Sequence, residues 1–133
     1  MAFYLDTSAL VKLVVAEQET PELKAWLRQR ETRLFTSDLA RTELLRVTRR
    51  LAPARVQAAR EVLSAVHLAR LGERVFKLAG NLEPKSLRSL DAIHLASALD
   101  LGADLDGVVT YDSQMADAAA LNAVAVYSPG ADS

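Results

Sequence analysis

The sequence predicts an α/β fold, with a parallel sheet carrying helices on both faces. Short apolar runs of strand character alternate with runs of helical period along the whole chain, the pattern that builds such sheets. Among the 133 residues 50% are hydrophobic and 25% charged, ordinary for one domain with a sizeable core. There is no internal repeat, low-complexity tract or linker, so residues 1–133 are expected to form one domain.

Phe3-Tyr4-Leu5 reads as a first strand, ended by Asp6-Thr7-Ser8, three residues that favour helix caps. Ala9 to Val15 reads as a short helix. Pro21 opens a second helix, with Glu22 in its first turn and Leu23, Trp26 and Leu27 at helical spacing. These three are most economically core, although Trp26 would also suit a groove for a partner. Arg33 to Thr36 is the second strand. Ser37 or Asp38 caps a long helix to Leu51, with Ala40, Leu44, Val47 and Leu51 as its apolar stripe, and Pro53 restarts a helix that runs to about Ala65.

Val66 to Leu71 is the third strand candidate, followed by a helix from about Gly72 to Leu82. The loop Glu83 to Ser86 precedes a helix from Ser89 to Leu99, and Gly102 ends that region. Gly107 to Thr110 is the fourth strand, Asp112 to Leu121 a helix, and Val124 to Tyr127 the last strand.

The absence of cysteine excludes disulfides, thiolate metal sites and a thiol nucleophile. Met1 runs straight into Ala2 to Leu5 with no basic leader, and no apolar stretch approaches bilayer length, so a soluble cytoplasmic protein without membrane contact is expected. The net charge of -1 conceals asymmetry. Residues 1–88 hold all sixteen Lys and Arg with ten acids, whereas residues 89–133 hold seven acids and no Lys or Arg. A basic surface beside an acidic pocket fits this division, and so does plain compositional drift.

Four acids stand out: Asp6, Glu43, Asp91 and Asp112. Each lies where a strand ends or a helix begins, in stretches that read as buried, and buried carboxylates are costly unless paired, hydrogen-bonded or metal-bound. Asp6 and Asp112 follow the first and fourth strands, hence the end of the sheet where ligands bind. Each alone would be a helix cap. Asp91, His94 and Ser97 form the polar track of the otherwise apolar run Leu90 to Leu99, and a helix apolar all round is buried. The alternative for Asp91 is to complement the helix dipole two residues after a Ser89 cap, worth about 0.3–1 kcal/mol. Glu43 borders the apolar stripe of its helix on the side of Arg46 and Arg50. Either it forms a surface ion pair with Arg46, or it reaches the site while the two arginines meet a polyanion. Arg41 to Arg60 holds six arginines and one acid, which suits phosphate tracking as well as a solvated face. His94 reads as a hydrogen-bonded core histidine rather than an acid–base group.

The order Leu5-Asp6-Thr7-Ser8, Glu43, Arg88-Ser89-Leu90-Asp91-Ala92-Ile93-His94, then Thr110-Tyr111-Asp112 resembles the PIN-domain ribonucleases, and most of all the VapC toxins of toxin–antitoxin pairs. The resemblance covers the whole chain. It implies a three-layer α/β/α sandwich around a mostly parallel sheet of about five strands. It also implies that Asp6, Glu43, Asp91 and Asp112 bind metal, with Asp117 as a substitute for Asp112, while Thr7, Ser8 and Thr110 support the site through their hydroxyls. RNA as substrate, a homodimer and a VapB-like antitoxin follow from the same likeness. An oxygen-only ligand set suits Mg²⁺, with Mn²⁺ as a substitute. A non-catalytic PIN-like protein that binds nucleic acid or a partner is the competing expectation. A haloacid-dehalogenase-type phosphatase would need a second Asp where Ser8 stands. A receiver-like domain would need a late lysine, and none follows Lys85.

Overall fold

The computed structural model describes residues 2–30 and 33–131, so Met1 and the last two residues of the 1–133 span lie outside it. Five parallel strands lie in the order β3-β2-β1-β4-β5. They are β1 (Ala2–Leu5), β2 (Arg33–Ser37), β3 (His67–Ala69), β4 (Leu105–Val109) and β5 (Val126–Tyr127). The helices are α1 (Thr7–Val14), α2 (Thr20–Gln29), α3 (Asp38–Leu51), α4 (Val56–Ala65), α5 (Glu73–Gly80), α6 (Ser89–Leu99) and α7 (Ser113–Leu121).

Alternation along the central strands divides the core in two. Phe3, Leu5 and Val109 face a cluster with Leu10, Leu23, Leu44 and Leu63 from α1 to α4. Tyr4 and Val108 face the opposite way, into Leu95, Ala98, Met115 and Ala119 of α6 and α7. The period of two along a strand produces this split. From β1 the chain steps first to β2 and β3 with its helices on one face, then crosses to β4 and β5 with helices on the other. Crossovers of one hand require the covering face to change when the direction of winding reverses. The reversal falls between β1 and β4, and it opens a crevice beyond their carboxyl ends.

Several boundaries differ from the sequence expectation for local reasons. Pro53 opens a single 3-10 turn to Arg55 before α4 begins. The third strand shrinks to three residues at the edge of the sheet, where one side has no pairing partner. The cap of α6 is Arg88, not Ser89, which is its first helical residue. Leu51 does not continue the buried stripe of α3: it is 60% exposed, because the buried face runs through Ala40, Leu44 and Thr48 instead. Nor is α6 buried from its start, since Leu90 is 50% exposed. Trp26 packs edge-on against Phe3, with ring centroids 5.0 Å apart, and the Arg30 guanidinium lies over its indole.

Gly107 is required by packing. A methyl group there would overlap the Tyr127 ring, itself packed on Phe3 and Trp26, and would meet the Ala125 carbonyl at 3.0 Å. Gly107→Ala is expected to lower unfolding free energy by about 1–3 kcal/mol through overpacking, read from the midpoint of a urea titration. Among the described residues no helix is long and apolar enough to cross a membrane.

Candidate active site

The crevice at the switch point collects the acids singled out in the sequence. Asp6 follows β1 and caps α1, with 4% of its surface exposed. Its Oδ1 accepts hydrogen bonds from Ser8 Oγ at 2.5 Å and the Ala9 amide at 3.2 Å, while Oδ2 accepts one from Thr110 Oγ1 at 2.6 Å. Burial pushes the Asp6 carboxyl above its ordinary pKa, despite these donors and the nearby His94.

The hydroxyls also organise the loop after β4. Ser8 Oγ accepts from the Tyr111 amide at 2.9 Å, and Thr110 Oγ1 accepts from the Asp112 amide at 3.1 Å. Ser128 Oγ donates to the Thr110 carbonyl at 2.5 Å, tying in the chain after β5. Asp112 caps α7, its Oδ1 accepting from the Gln114 amide at 2.9 Å. Thr7 serves a different acid: its hydroxyl donates to Glu43 Oε1 at 2.6 Å. The same oxygen is 2.6 Å from His94 Nε2. Partial burial raises the Glu43 pKa, but the hydrogen bonds from His94 and Thr7 outweigh it, so the carboxyl lies below its usual value.

Asp91, in the first turn of α6, is different again. Burial raises its pKa, and so do the charges of Asp112, Asp6 and Glu43, against a lowering by His94. No described residue hydrogen-bonds it. Asp91 therefore senses the other three acids, and its carboxyl lacks a donor among the described residues. Asp117 is exposed on α7 and does not figure among the charges acting on Asp91.

A family model, PIN domain, matches residues 3–121. The chain belongs to the PIN domain family. Within it, the curated relatives are VapC ribonucleases. Ribonuclease VapC46 of Mycobacterium tuberculosis is 46% identical over 128 residues, covering 96% of this chain and 98% of the relative. Ribonuclease VapC47 of the same organism is 41% identical over 132 residues, covering 96% and 97%. The fold is similar to VapBC2 of Rickettsia felis, solved bound to a DNA fragment from the promoter, with TM-score 0.74, 13% identity and 96% and 98% of the two chains covered. It is also similar to M. tuberculosis VapC20, described as a Sarcin-Ricin loop cleaving toxin, with TM-score 0.71, 14% identity and 87% and 94% covered.

The acids of this PIN domain are coupled without being closed into a cage: among the described residues no three His, Asp or Glu side chains form a group able to enclose an ion. The chemistry of the donor set, carboxylate oxygens alone, is of the kind a hard cation that keeps several waters takes.

Arg46 and Arg50 do not pair with Glu43, whose Oε1 lies instead 2.6 Å from His94 Nε2. Both are exposed, and with Arg49 they line a hollow of about 310 Å³. His94 is a core residue, 3% exposed, as its helix suggested, but it is also bonded directly to a site acid. Tyr4, whose phenol lies 2.7 Å from His94 Nδ1, gave no sign in the sequence beyond its place in an apolar strand.

Proposed function

We propose that this chain is a divalent-metal-dependent endoribonuclease, hydrolysing RNA phosphodiester bonds as the toxin of a toxin–antitoxin pair. The observation that supports the mechanism is the convergence of the Asp6, Glu43 and Asp112 charges on Asp91, whose carboxyl has no donor among the described residues. Mg²⁺ is the cation that best suits this oxygen set, with Mn²⁺ as a substitute. Bound there, it would supply charge neutralisation, a more acidic water and polarisation of the scissile phosphoryl oxygen.

The protein's own groups divide the remaining work. Asp6 is held at both oxygens by Ser8, Ala9 and Thr110, so it is the most rigid of the four. Asp112 is anchored through its amide and its cap. Asp91 is the carboxylate free to accept a hydrogen bond from the attacking water. Because water attacks, the products are expected to carry a 5′-phosphate and a 3′-hydroxyl. The ribonuclease names of the relatives support RNA as substrate, and the VapBC2 complex among the structural neighbours supports a VapB-like antitoxin as partner. The experiment is cleavage of an RNA panel with and without Mg²⁺. Binding without cutting in the presence of Mg²⁺ would favour the non-catalytic reading.

Arg46 and Arg50 are assigned to RNA phosphates. Phosphate contacts position a strand and make binding salt-dependent without reading sequence. In an Asp91→Asn background, which prevents cutting, Arg46→Ala/Arg50→Ala is expected to weaken RNA binding and to reduce the salt slope by about one to two. Preference among RNA sequences should hardly change. Equal affinity and equal slope with and without the arginine substitutions, measured by fluorescence anisotropy, would move the RNA path elsewhere.

A further inference from the structure

Glu43 is held by a chain of hydrogen bonds that starts in the opposite layer of the protein. Tyr4 points from β1 into the cluster beneath α6, and its hydroxyl lies 2.7 Å from His94 Nδ1. His94 Nε2 lies 2.6 Å from Glu43 Oε1 on α3. Thr7, from the first turn of α1, donates to the same Oε1 and lies 3.3 Å from Nε2. One imidazole thus joins β1, α1, α3 and α6.

The direction of these bonds follows from donor chemistry. An ionised carboxylate only accepts, so the proton between Glu43 and His94 sits on Nε2. In the neutral imidazole Nδ1 then accepts, and the Tyr4 hydroxyl donates to it. Burial raises the Tyr4 pKa, over the opposing effect of the nearby Ser37, Thr36 and Ser97 hydroxyls, so the phenol keeps its proton. Those three hydroxyls are buried and have no hydrogen-bond partner among the described residues. The phenol's hydrogen bond of 2.7 Å runs to His94 Nδ1.

We propose that Tyr4 and His94 are positioning residues for Glu43. The phenol fixes the imidazole as its Nε2–H tautomer, Nε2–H and Thr7 occupy Oε1, and Oε2 remains as the oxygen that Glu43 presents to a divalent cation. This inference rests on the metal-dependent reading above and adds to it the residues that aim one ligand. A metal-ligating side chain held by a buried neighbour loses affinity when that neighbour is removed, typically by 10–100-fold.

The test is Mn²⁺ titration by calorimetry on the full chain, with circular dichroism to confirm folding. His94→Leu, which cannot donate, is expected to weaken Mn²⁺ binding by about tenfold or more. His94→Gln restores a donor near the Nε2 position and should recover most of that loss. Tyr4→Phe leaves the imidazole without its tautomer lock, so binding should weaken by a few-fold, on the order of threefold. In ¹⁵N spectra of the wild type, the His94 ring should show the Nε2–H tautomer, and Tyr4→Phe should shift it toward a mixture. For RNA cleavage, kcat should fall while KM stays near its wild-type value. A folded His94→Leu with wild-type Mn²⁺ affinity overturns the inference. Should that variant not fold, unchanged Mn²⁺ affinity and ring signals in Tyr4→Phe overturn it instead. A wild type that binds no Mn²⁺ removes the metal-dependent reading itself, and the inference with it, so the two failures are told apart.

Discussion

Asp91→Ala is expected to abolish RNA cleavage, by about a thousandfold or more, while the protein remains folded. Removing the carboxylate that orients the attacking group costs this much where electrostatic placement dominates the rate. The fold should tolerate the change because Asp91 makes no hydrogen bond to any described residue and sits only half-buried. In metal-free buffer the variant should melt no lower than the wild type, since it removes a charge repelled by Asp112, Asp6 and Glu43. Near-normal cleavage of a verified substrate by Asp91→Ala would rule out the assigned mechanism. His94→Ala should instead lower both stability and rate, because it removes core packing as well as the hold on Glu43.

The second large effect is the response to cations. On the proposed reading Mg²⁺ or Mn²⁺ should bind only the folded arrangement of acids, and at about a hundred times its dissociation constant it should stabilise by roughly 2.7 kcal/mol. For a chain of this size that is a rise in Tm of roughly 5–12 °C. Asp6→Asn/Asp91→Asn should lose most of this response. The pH dependence of the metal-free protein carries the same information. Asp6 and Asp91 have pKa values raised by folding, so the folded chain holds their protons more tightly than the unfolded one. Their contribution favours the fold while they are protonated and turns against it as pH rises through the folded values. Glu43, with a lowered pKa, runs the other way: its stabilisation is present above the unfolded value and is lost as pH falls through the folded one. Metal-free stability of the wild type should therefore decline from mildly acidic toward neutral pH, and the decline should flatten in the double variant. A double variant with an unaltered cation response would place the binding site elsewhere.

The places in the fold where the acids fall were legible because topology alone locates them. A residue just beyond a parallel strand lies at the ligand end of the sheet, whatever the packing detail, and Asp6, Thr110 and Asp112 follow β1 and β4. The bounds of α3 were equally readable, since Ser37 and Asp38 mark its start and an unbroken helical period runs to Leu51. What failed depended on neighbours. Leu51 has the right spacing for the apolar stripe, but the apolar period does not reveal that Thr48, a polar residue, takes the buried place in the last turn. Thr7 and Ser8 are adjacent in sequence, yet one serves Glu43 and the other Asp6, because α3 approaches only the Thr7 side of the α1 terminus. The core reading of His94 was correct for its burial and incomplete for its chemistry. A histidine one turn after Asp91 on an apolar helix was a visible signal, but its partners Tyr4 and Glu43 come from elements 90 and 51 residues away.

The most direct measurement of the central claim, that these four acids form one cation-dependent hydrolytic site, is end analysis of RNA fragments made by the wild-type protein. The reactions are run in Mg²⁺ and in EDTA, with Asp91→Ala as the control for contaminating nucleases. Fragments bearing 5′-phosphate and 3′-hydroxyl ends, formed in Mg²⁺ by the wild type and absent from EDTA and from Asp91→Ala, are the predicted result. Fragments with 2′,3′-cyclic phosphate ends, or cleavage that persists in EDTA, would contradict it.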